Sequence, residues 1–373
     1  MHIAIDGHTI GTQLAGNVTY ITGLLEGLAS VDQQNRYTVY VFDKHAEDRY
    51  LDRWPNVRLK LLDIGSGRIA RHLWSFRKPL QSDRPDVFFV QFNAPRRIEC
   101  KLVTAIHDLS FQHLPETFRW HEAPRMRFAI RGTANRSDHI VTCSESSRQD
   151  ILRNYGLPES RVTTEHLAAP GFLKPVTDPE RLLAIRKKYD LPDDFILGLG
   201  SIQPRKNLER LIAAYAQLSR KQDVPPLILV GKLAWLHGSS VDAAARYGVA
   251  DRVTFTGFVP DEDLATLYSA ATIFVYPSFF EGFGLPPLEA MQCGTPVITG
   301  DRTSLPEVVG DAGIMVDPYD VNAIADAMQR LLNDANLRAD LTKRGIERAK
   351  NFSWAKAARE TLGVFERVMS KSK

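Results

Sequence analysis

The sequence predicts an α/β protein with two parallel-sheet domains, because short apolar runs alternate with amphipathic stretches twice along the chain. The runs are continuously apolar, as expected for strands that are buried on both faces of a sheet. Amphipathic stretches such as 207–219 predict the covering helices. The predicted strands lie at 2–6, 38–42, 86–91, 101–106 and 139–144, and then at 195–200, 226–231, 252–257, 272–277 and 296–300.

Length and composition agree with two folded domains. The chain has 373 residues, of which 44% are hydrophobic and 24% charged, and this excludes a disordered chain. Lys+Arg total 47 and Asp+Glu 44, a near balance that provides no general field for nucleic acid, and we expect no nucleic-acid partner. No apolar run approaches the roughly 18 residues of a membrane span, and the N-terminus has no signal-peptide pattern. We therefore expect a cytoplasmic protein.

Prolines indicate the domain boundary. Pro170, Pro175 and Pro179 disfavour regular structure and place a linker near 170–180. The tail from about 320 is helical in pattern, with Asp320 and Ser353 as N-caps. We predict an N-terminal domain at 1–172, a C-terminal domain at 173–352 and a C-terminal helix at 353–373. Ligands of such sheets bind beyond the carboxyl ends of the strands, so the candidate site residues follow strands.

The segment PSFFEGFGLPPLEAMQCGTPV, which follows the strand at 272–277, has the strongest chemical pattern. Gly282 and Gly284 let backbone amides approach a ligand, and the helix that follows offers unpaired N–H groups to a phosphate. Glu281 precedes this helix and Glu289 lies within it, and carboxylates accept hydrogen bonds from sugar or ribose hydroxyls. The segment predicts a nucleotide-sugar site. The alternative is that Glu281 caps the helix and Glu289 is a solvated surface residue.

The segment GLGSIQPRKNLERLI shows the same order of strand, glycines and helix. Arg205 and Lys206 stand just before the helix, where two cations can clamp a diphosphate. A solvent-facing pair of cations is the alternative. The chain has no complete G-x-G-x-x-G here and no G-x-x-x-x-G-K-[ST] anywhere, which disfavours a dinucleotide fold and a P-loop kinase.

The first half offers weaker candidates. Gly16 lies in a glycine-bearing loop at the start of a helix and could admit a phosphate or a reacting sugar, although an ordinary turn is the alternative. His107 and Asp108 follow the strand at 101–106 and could meet sugar hydroxyls, unless they only complete a turn.

Basic and aromatic residues interleave in the segments 68–80 and 118–131. This pattern suits an anionic bilayer surface, so we expect peripheral contact with the inner face of the plasma membrane. Solvated faces with some core aromatics are the alternative. The residues concerned are Arg68, Arg71, Trp74, Phe76, Arg77, Lys78, Arg119, Trp120, Arg125, Arg127 and Arg131.

The motifs together resemble the retaining glycosyltransferases of family 4, whose GT-B fold has two Rossmann-like domains facing across a crevice. The resemblance covers nearly the full length: the loop around Gly16, TAIHDLSF, VTCSESSRQDIL, GSIQPRKNLERLI, LILVGK, VTFTGFVPDEDLATLYSAA, PSFFEGFGLPPLEAMQCGTPVI and the NFSW helix. Among these motifs, the E-x7-E spacing of Glu281 and Glu289 is specific to the resemblance with this family. The sequence departs from the family pattern at two places. Ala15 stands where many relatives have a second glycine, and HLAAPGF stands near the linker where the usual stretch is N-G-V/I.

The resemblance implies a role for each candidate residue. Arg205 and Lys206 would hold the donor diphosphate, Glu281 would meet the donor sugar, and Glu289 would bind the ribose. Gly16 and His107 would line the reacting centre, and the C-terminal helix would cross back to the first domain. The implied catalytic residues are His107, Glu281, Arg205 and Lys206. The implied donor-binding residues are Gly16, Ser201, Arg205, Lys206, Glu281, Gly282, Phe283, Gly284, Leu285 and Glu289.

The family branch with IHDLSF and FFEGFGLPPLEAM looks like bacterial mannosyl- and rhamnosyltransferases of O-antigen or exopolysaccharide assembly. It implies sugar transfer, with mannose from GDP-mannose as the expected donor, to a saccharide or lipid-linked saccharide. We expect no cofactor and no metal, because no D-x-D motif follows a strand. Two alternatives stay open: a nucleotide-sugar 2-epimerase on the same fold, and an inactive nucleotide-sugar-binding partner of another transferase.

Overall fold

A computed structural model describes residues 1–12, 15–50, 53–62, 76–232, 234 and 238–370. Its strands are, in chain order, β1 (His2–Asp6), β2 (Arg36–Val41), β3 (Val57–Leu61), β4 (Val87–Gln91), β5 (Lys101–Ala105), β6 (His139–Thr142), β7 (Val162–Thr164), β8 (Ile196–Leu199), β9 (Leu227–Val230), β10 (Val253–Gly257), β11 (Ile273–Tyr276), β12 (Val297–Gly300) and β13 (Gly313–Val316).

The α-helices of the described residues are α1 (Ala15–Val31), α2 (Lys44–Tyr50), α3 (Arg77–Asp83), α4 (Ser110–His113), α5 (Glu122–Arg136), α6 (Glu145–Tyr155), α7 (Pro179–Tyr189), α8 (Leu208–Ser219), α9 (Gly238–Arg246), α10 (Asp261–Ala270), α11 (Leu285–Gln292), α12 (Leu305–Val309), α13 (Val321–Asn333), α14 (Ala335–Ala349) and α15 (Trp354–Ser370). As predicted, Asp320 and Ser353 cap helices: Asp320 accepts from the amide of Asn322 at 2.8 Å, and Ser353 from that of Lys356 at 3.2 Å.

The strands form two parallel sheets, which confirms the predicted fold class. The orders are β3-β2-β1-β4-β5-β6-β7 and β10-β9-β8-β11-β12-β13. In each sheet the order reverses once, between β1 and β4 and between β8 and β11. In open α/β sheets, ligands bind at the carboxyl ends of the two strands that flank such a reversal. Each sheet therefore has one defined place to search for a site.

All ten predicted strands are present, and three further strands were not predicted: β3, β7 and β13. Each of these three lies at the edge of its sheet. Their residues are only partly buried, so they do not form the continuous apolar run by which an inner strand is recognised. By contrast, every residue of β4 and β11 is buried.

The chain divides into two compact units. Unit 1 contains residues 1–109, 124–168 and 353–373, and unit 2 contains 110–123 and 169–352. The division at 168 falls four residues before the predicted 172. The segment 110–123 also differs from the predicted boundaries, because it belongs to unit 2. Its His113 ring stacks on Phe280 with 5.3 Å between ring centroids.

The C-terminal helix α15 belongs to unit 1, where it packs along α1. The Trp354 ring lies against Gly23, and its carbonyl lies against Gly27 one turn later. Further along α15, Phe365 packs edge-on against Phe89 at 5.7 Å. The buried Glu165 carboxylate accepts hydrogen bonds from the hydroxyls of Tyr20 on α1 and Thr361 on α15. None of the described helices is both long and apolar enough to cross a bilayer.

Two glycines of α1 provide a matched test of this packing. Gly23→Ala should lower the free energy of unfolding by roughly 1–3 kcal/mol, because the new methyl group overlaps the Trp354 ring. Gly16→Ala should be neutral or stabilise by up to about 1 kcal/mol, because a Cβ there meets no atom within 4 Å and alanine favours a helix. Urea unfolding measures both. Equal stabilities for the two variants would contradict the packing of α15 on α1.

Candidate active site

The loops that follow β8 and β11 are tied together at the point where the order of the second sheet reverses. After β8 the chain forms a short 3₁₀ turn over Pro204–Lys206 and then Asn207, which has a left-handed backbone with φ 59°. The side-chain nitrogen Nδ2 of Asn207 donates to the backbone carbonyls of Pro277 at 2.9 Å and Pro318 at 2.6 Å. Asn207 thus links the loops that follow β8, β11 and β13.

Glycine is required at two positions near this site. Gly231 has φ 147°, and a Cβ there would collide with the carbonyl of Gly200. Gly284 has φ 119° and caps the N-terminus of α11, and its Cβ would lie 2.9 Å from Leu305. Both are conformations that other residues rarely adopt, so the close approach of these loops depends on glycine.

The centre of the site is a buried ion-pair cluster. One oxygen of Glu281, Oε1, accepts from Lys206 Nζ at 2.7 Å, Tyr276 Oη at 2.9 Å and Ser278 Oγ at 2.6 Å. The other oxygen, Oε2, lies 3.0 Å from Arg205 Nη1. The Arg205 guanidinium also donates to the carbonyl of Phe280. The sequence placed these three charged residues after two strands, and the structure pairs them with one another.

The cluster carries a surplus of one positive charge. Burial alone would raise the pKa of Glu281, but the charges of Arg205 and Lys206 and the hydrogen bonds it accepts hold that pKa at about 2. Glu281 is therefore ionised at neutral pH, and the formal charges of Arg205, Lys206 and Glu281 sum to one positive charge. The side chains of Arg205 and Lys206 are 14% and 11% exposed, so an anion in solution can still reach them.

Glu289 is in a different environment. It lies on the buried side of α11, where its Oε2 accepts a hydrogen bond from Tyr268 Oη at 2.8 Å. Burial raises the pKa of Glu289 to about 7, although the Tyr268 bond opposes this. Its charge state therefore changes near neutral pH. The alternative of a solvated surface glutamate does not fit, because Glu289 is buried.

The other predicted donor-binding residues of unit 2 lie in the same two loops. Ser201 is exposed directly after Gly200, and Leu285 is half-buried at the start of α11. Gly282 is buried, and the Phe283 ring packs edge-on against Phe352 at 5.6 Å. The side chain of Phe283 is thus part of the packing.

In unit 1, His107 is held in an apolar contact at the end of β5. Its ring lies edge-on to Tyr20 at 4.3 Å and to Phe92 at 5.3 Å. Its Nε2 lies 3.4 Å from Gln91 Oε1, and burial lowers the pKa of His107 to about 4. The imidazole is therefore neutral at physiological pH. Gly16, the other predicted residue of this unit, is exposed near the start of α1.

Sequence reasoning missed the groups that hold Glu281 in place. Tyr276 and Ser278 donate to its carboxylate, and Thr303 Oγ1 accepts from its amide at 3.0 Å. Tyr276 is the last residue of β11 and Ser278 follows it by two positions, so their place at the end of a central strand was a usable signal. Thr303 follows β12, and nothing local in the sequence marks it. Within the described ranges, no group of three or more His, Cys, Asp or Glu side chains is arranged to hold a metal ion.

Two family descriptions match the chain. Residues 15–166 match Glycosyltransferase Family 4, and residues 183–348 match Glycosyl transferases group 1. O-antigen chain mannosyltransferase B of Escherichia coli is 38% identical over 303 residues, which span 79% of this chain and 77% of that protein.

Solved structures agree at the level of the fold. Sucrose-phosphate synthase from Thermosynechococcus elongatus superposes over the full length of both chains with a TM-score of 0.81 at 22% identity. Anabaena HepE in complex with UDP-glucose covers 98% of this chain and 100% of its own, with a TM-score of 0.76 at 20% identity. With a charged cluster at the reversal point of a GT-B sheet and this extent of identity to a mannosyltransferase, the chain belongs to glycosyltransferase family 4.

Proposed function

We propose that this glycosyltransferase transfers mannose from GDP-mannose to a saccharide or lipid-linked saccharide in the synthesis of a surface polysaccharide, with retention of anomeric configuration. The observation that carries the proposal is the Arg205–Lys206–Glu281 cluster, which offers surplus positive charge beside a carboxylate at the carboxyl edge of the sheet. The choice of mannose is supported by the identity to the Escherichia coli O-antigen mannosyltransferase.

Each charged residue of the cluster has a place in the reaction. Arg205 and Lys206 bind the donor diphosphate and stabilise the negative charge that grows on it as the glycosidic bond breaks. Glu281 meets the transferred sugar, and Glu289 accepts hydrogen bonds from the ribose hydroxyls. Gly16 and His107 line the reacting centre on the acceptor side.

The reaction proceeds as a substitution on one face of the sugar. The acceptor oxygen bonds to the anomeric carbon, the bond to the diphosphate oxygen breaks, and that leaving oxygen takes the acceptor proton. The ion pairs of Glu281 with two cations lower the nucleophilicity of its carboxylate, which disfavours a double displacement. The cations supply the charge that a metal ion supplies in other transferases, and we propose that none is needed.

A transfer assay tests the proposal. The protein is incubated with GDP-mannose and octyl α-mannoside, and the product is analysed by mass spectrometry and NMR for an α-linked disaccharide. UDP-glucose and GDP-fucose replace the donor as controls. GDP-mannose without acceptor tests for a 2-epimerase, which would convert the donor alone. Transfer from UDP-glucose and not from GDP-mannose would reject the mannose donor, and a β-linked product would reject retention.

Membrane contact is part of the proposal, because exposed aromatic and basic side chains occur both in residues 118–123 of unit 2 and in residues 124–131 of unit 1. Trp120 is 88% exposed and Phe128 is 77% exposed. Exposed basic residues of the same segment are Arg119, Arg125, Arg127 and Arg131. Aromatic rings at the headgroup level and arginines near anionic lipids both favour adsorption to the cytoplasmic leaflet. In the predicted segment 68–80, Arg68, Arg71 and Trp74 lie outside the described residues, and Phe76 is buried.

The first prediction concerns the two cations. Arg205→Met and Lys206→Met should each lower kcat by on the order of 10²–10³ at saturating donor, because each removes charge directed at the leaving diphosphate. Wild-type activity should persist in excess EDTA. Lys187→Met, which removes an exposed lysine of α7 in the same unit, is the control and should leave kcat unchanged. Unchanged kcat in both cluster variants, or loss of wild-type activity on chelation, would contradict the assignment.

The second prediction uses the different pKa values of the two glutamates. If the ionised Glu289 binds the ribose, GDP affinity is strongest above pH 7 and weakens as the pH falls through about 7, since the protonated carboxyl accepts poorly. Calorimetry of wild type and Glu289→Gln between pH 6 and 8 measures this effect. The GDP phosphate itself titrates near pH 6 and affects both proteins alike, so the difference between them reports Glu289.

Glu289→Gln should weaken GDP binding at pH 8 by about 1.5–3 kcal/mol, the usual contribution of a hydrogen bond to a charged group. Glu281→Gln is the matched control. It should bind GDP as tightly as wild type or more tightly, because GDP has no sugar for Glu281 to meet and the cations lose their internal partner. The assignment fails if Glu281→Gln loses GDP affinity and Glu289→Gln keeps it.

The third prediction concerns the membrane. Cosedimentation with phosphatidylglycerol vesicles should fall with added NaCl and on replacing Arg125, Arg127 and Arg131 by glutamine, since each basic residue near an anionic surface contributes roughly 1 kcal/mol. Replacing the exposed Lys187, Lys343 and Arg359 removes the same charge from other elements and should have little effect. Equal binding by both triple variants, or equal binding to phosphatidylcholine vesicles, would reject this surface.

A further inference from the structure

One crossover of the first sheet has no helix. Parallel strands are usually joined through a helix that covers a face of the sheet, and every other crossover of this sheet contains at least one. The connection from β4 to β5 consists only of residues 92–100, which form neither a helix nor a strand. The helical cover of this face is therefore incomplete beside α3.

A groove of about 670 Å³ opens at this place. It is lined by α3, by the residues that follow α3, and by residues 97–100. Its floor is apolar: Leu80 and Pro85 are buried, and Ile98 is half-buried. The volume lies in the usual range for sites that hold a small molecule.

The rim of the groove is basic. Arg77, Arg84 and Arg97 line it and are exposed, and Glu99 is the carboxylate that lines it with them. The formal charges of these four residues sum to two positive charges. Among the residues that the structure describes, none forms an ion pair with the three guanidinium groups or accepts a hydrogen bond from them. The three arginines are therefore available to a ligand.

Nearby groups do not neutralise this charge. Asp83, the acidic residue of α3, is already engaged, because it accepts hydrogen bonds from Lys60 Nζ at 2.7 Å and Tyr40 Oη at 2.9 Å. A further cation, Arg96, precedes the groove residues 97–100 and is exposed. Burial and the charge of Arg96 both lower the pKa of Arg136 at the end of α5. Positive charge thus extends from the groove to α5.

The connection 92–100 joins the groove to α5. The amide of Ala94 donates to Thr133 Oγ1 at 3.3 Å, and Arg136 Nη2 donates to the carbonyl of Ala94 at 3.3 Å. Ala94 also belongs to the same core cluster as Leu80 of α3. The groove therefore lies on the face of the sheet that α5 covers, and α5 is the helix whose Phe128 is exposed.

An apolar floor below unpaired arginines fits an amphiphile with a phosphate headgroup. Guanidinium groups bind phosphate oxygens through pairs of parallel hydrogen bonds, and the floor can cover the first part of a hydrocarbon chain. The surplus of two positive charges matches a phosphate monoester, which carries nearly two negative charges at pH 8. A phosphodiester carries only one and would leave the groove partly uncompensated.

We propose that this groove binds a membrane lipid that ends in a doubly charged phosphate. Arg77, Arg84 and Arg97 bind the phosphate oxygens, and Ile98 contacts the hydrocarbon. The inference rests on the membrane contact proposed for this transferase and adds to it the class of lipid that is recognised. The site is distinct from the Arg205–Lys206–Glu281 cluster, which belongs to unit 2.

Calorimetry with dihexanoyl phosphatidic acid, below its micelle concentration and at pH 8, measures binding to the groove. Saturating GDP is present so that the cations of unit 2 are occupied. Arg84→Gln/Arg97→Gln should weaken binding by roughly 10- to 100-fold, since hydrogen bonds to a charged group are lost. Arg84→Lys/Arg97→Lys keeps the charge without the planar fork and should also weaken binding. Arg153→Gln/Arg359→Gln, which removes two exposed arginines elsewhere in unit 1, is the control and should bind as wild type does.

Comparisons of ligands on the wild-type protein separate the sources of phosphate. Dihexanoyl phosphatidylglycerol should bind about tenfold more weakly than the phosphatidic acid, because its phosphate has one charge less. Inorganic phosphate should also bind more weakly, because it leaves the apolar floor uncovered. Ile98→Ala should weaken binding of the phosphatidic acid and leave that of inorganic phosphate unchanged. The ligand comparisons decide the question if a variant does not fold.

Four results would overturn the inference: no binding of the phosphatidic acid, wild-type affinity in the double lysine variant, equal affinity for phosphatidylglycerol or inorganic phosphate, or equal affinity for hexaglutamate. The last would assign the groove to an acidic peptide. Failure of the proposed function is distinguishable, because the titration needs no turnover. Wild-type protein that transfers sugar from no nucleotide donor refutes glycosyl transfer, and vesicle binding that ignores the arginines of α5 refutes that surface, whatever the groove binds.

Discussion

The site of unit 2 depends on a single electrostatic requirement: two cations cannot lie side by side in a mostly buried loop without an anion between them. Glu281 meets this requirement, and its position is fixed by the hydroxyls of Tyr276 and Ser278 and by Thr303. The loops after β8, β11 and β12 are therefore held by one cluster. Removing one partner of such a cluster leaves buried charge uncompensated, so the parts are interdependent. In the proposed reaction, Arg205 and Lys206 are already arranged before the donor arrives, which lowers the reorganisation that binding requires.

The sequence was sufficient for the inner strands of both sheets and for the edge strand β10, and it was insufficient for the edge strands β3, β7 and β13. Strands such as β4 and β11 are buried on both faces, so their residues are apolar without interruption. The edge strands β3 and β7 have one protected side, and their mixed composition resembles that of loops. The membership of 110–123 in unit 2 was also beyond reach, because the stacking of His113 on Phe280 joins residues far apart in the chain.

The same limit applies to the site. Position after a central strand was enough to find Arg205, Lys206 and Glu281, yet their ion pairing with one another depends on the tertiary arrangement of two loops. The burial of Glu289 beside Tyr268 was hidden for the same reason. Burial is a property of the whole fold, and local spacing carries little information about it.

The place of α15 in the chain has a consequence for biosynthesis. Unit 1 begins at the start of the chain, but its last helix is made only after the whole of unit 2. At roughly 5–20 residues per second, a ribosome needs about 10–40 s to travel from the end of β7 to the start of α15. During that interval the face of α1 around Gly23 and Gly27 has no cover, while residues 169–352 are already free to fold. A nascent chain of this protein therefore cannot complete the packing of unit 1 until the ribosome has made α15, so the last step of unit 1 folding follows the synthesis of unit 2.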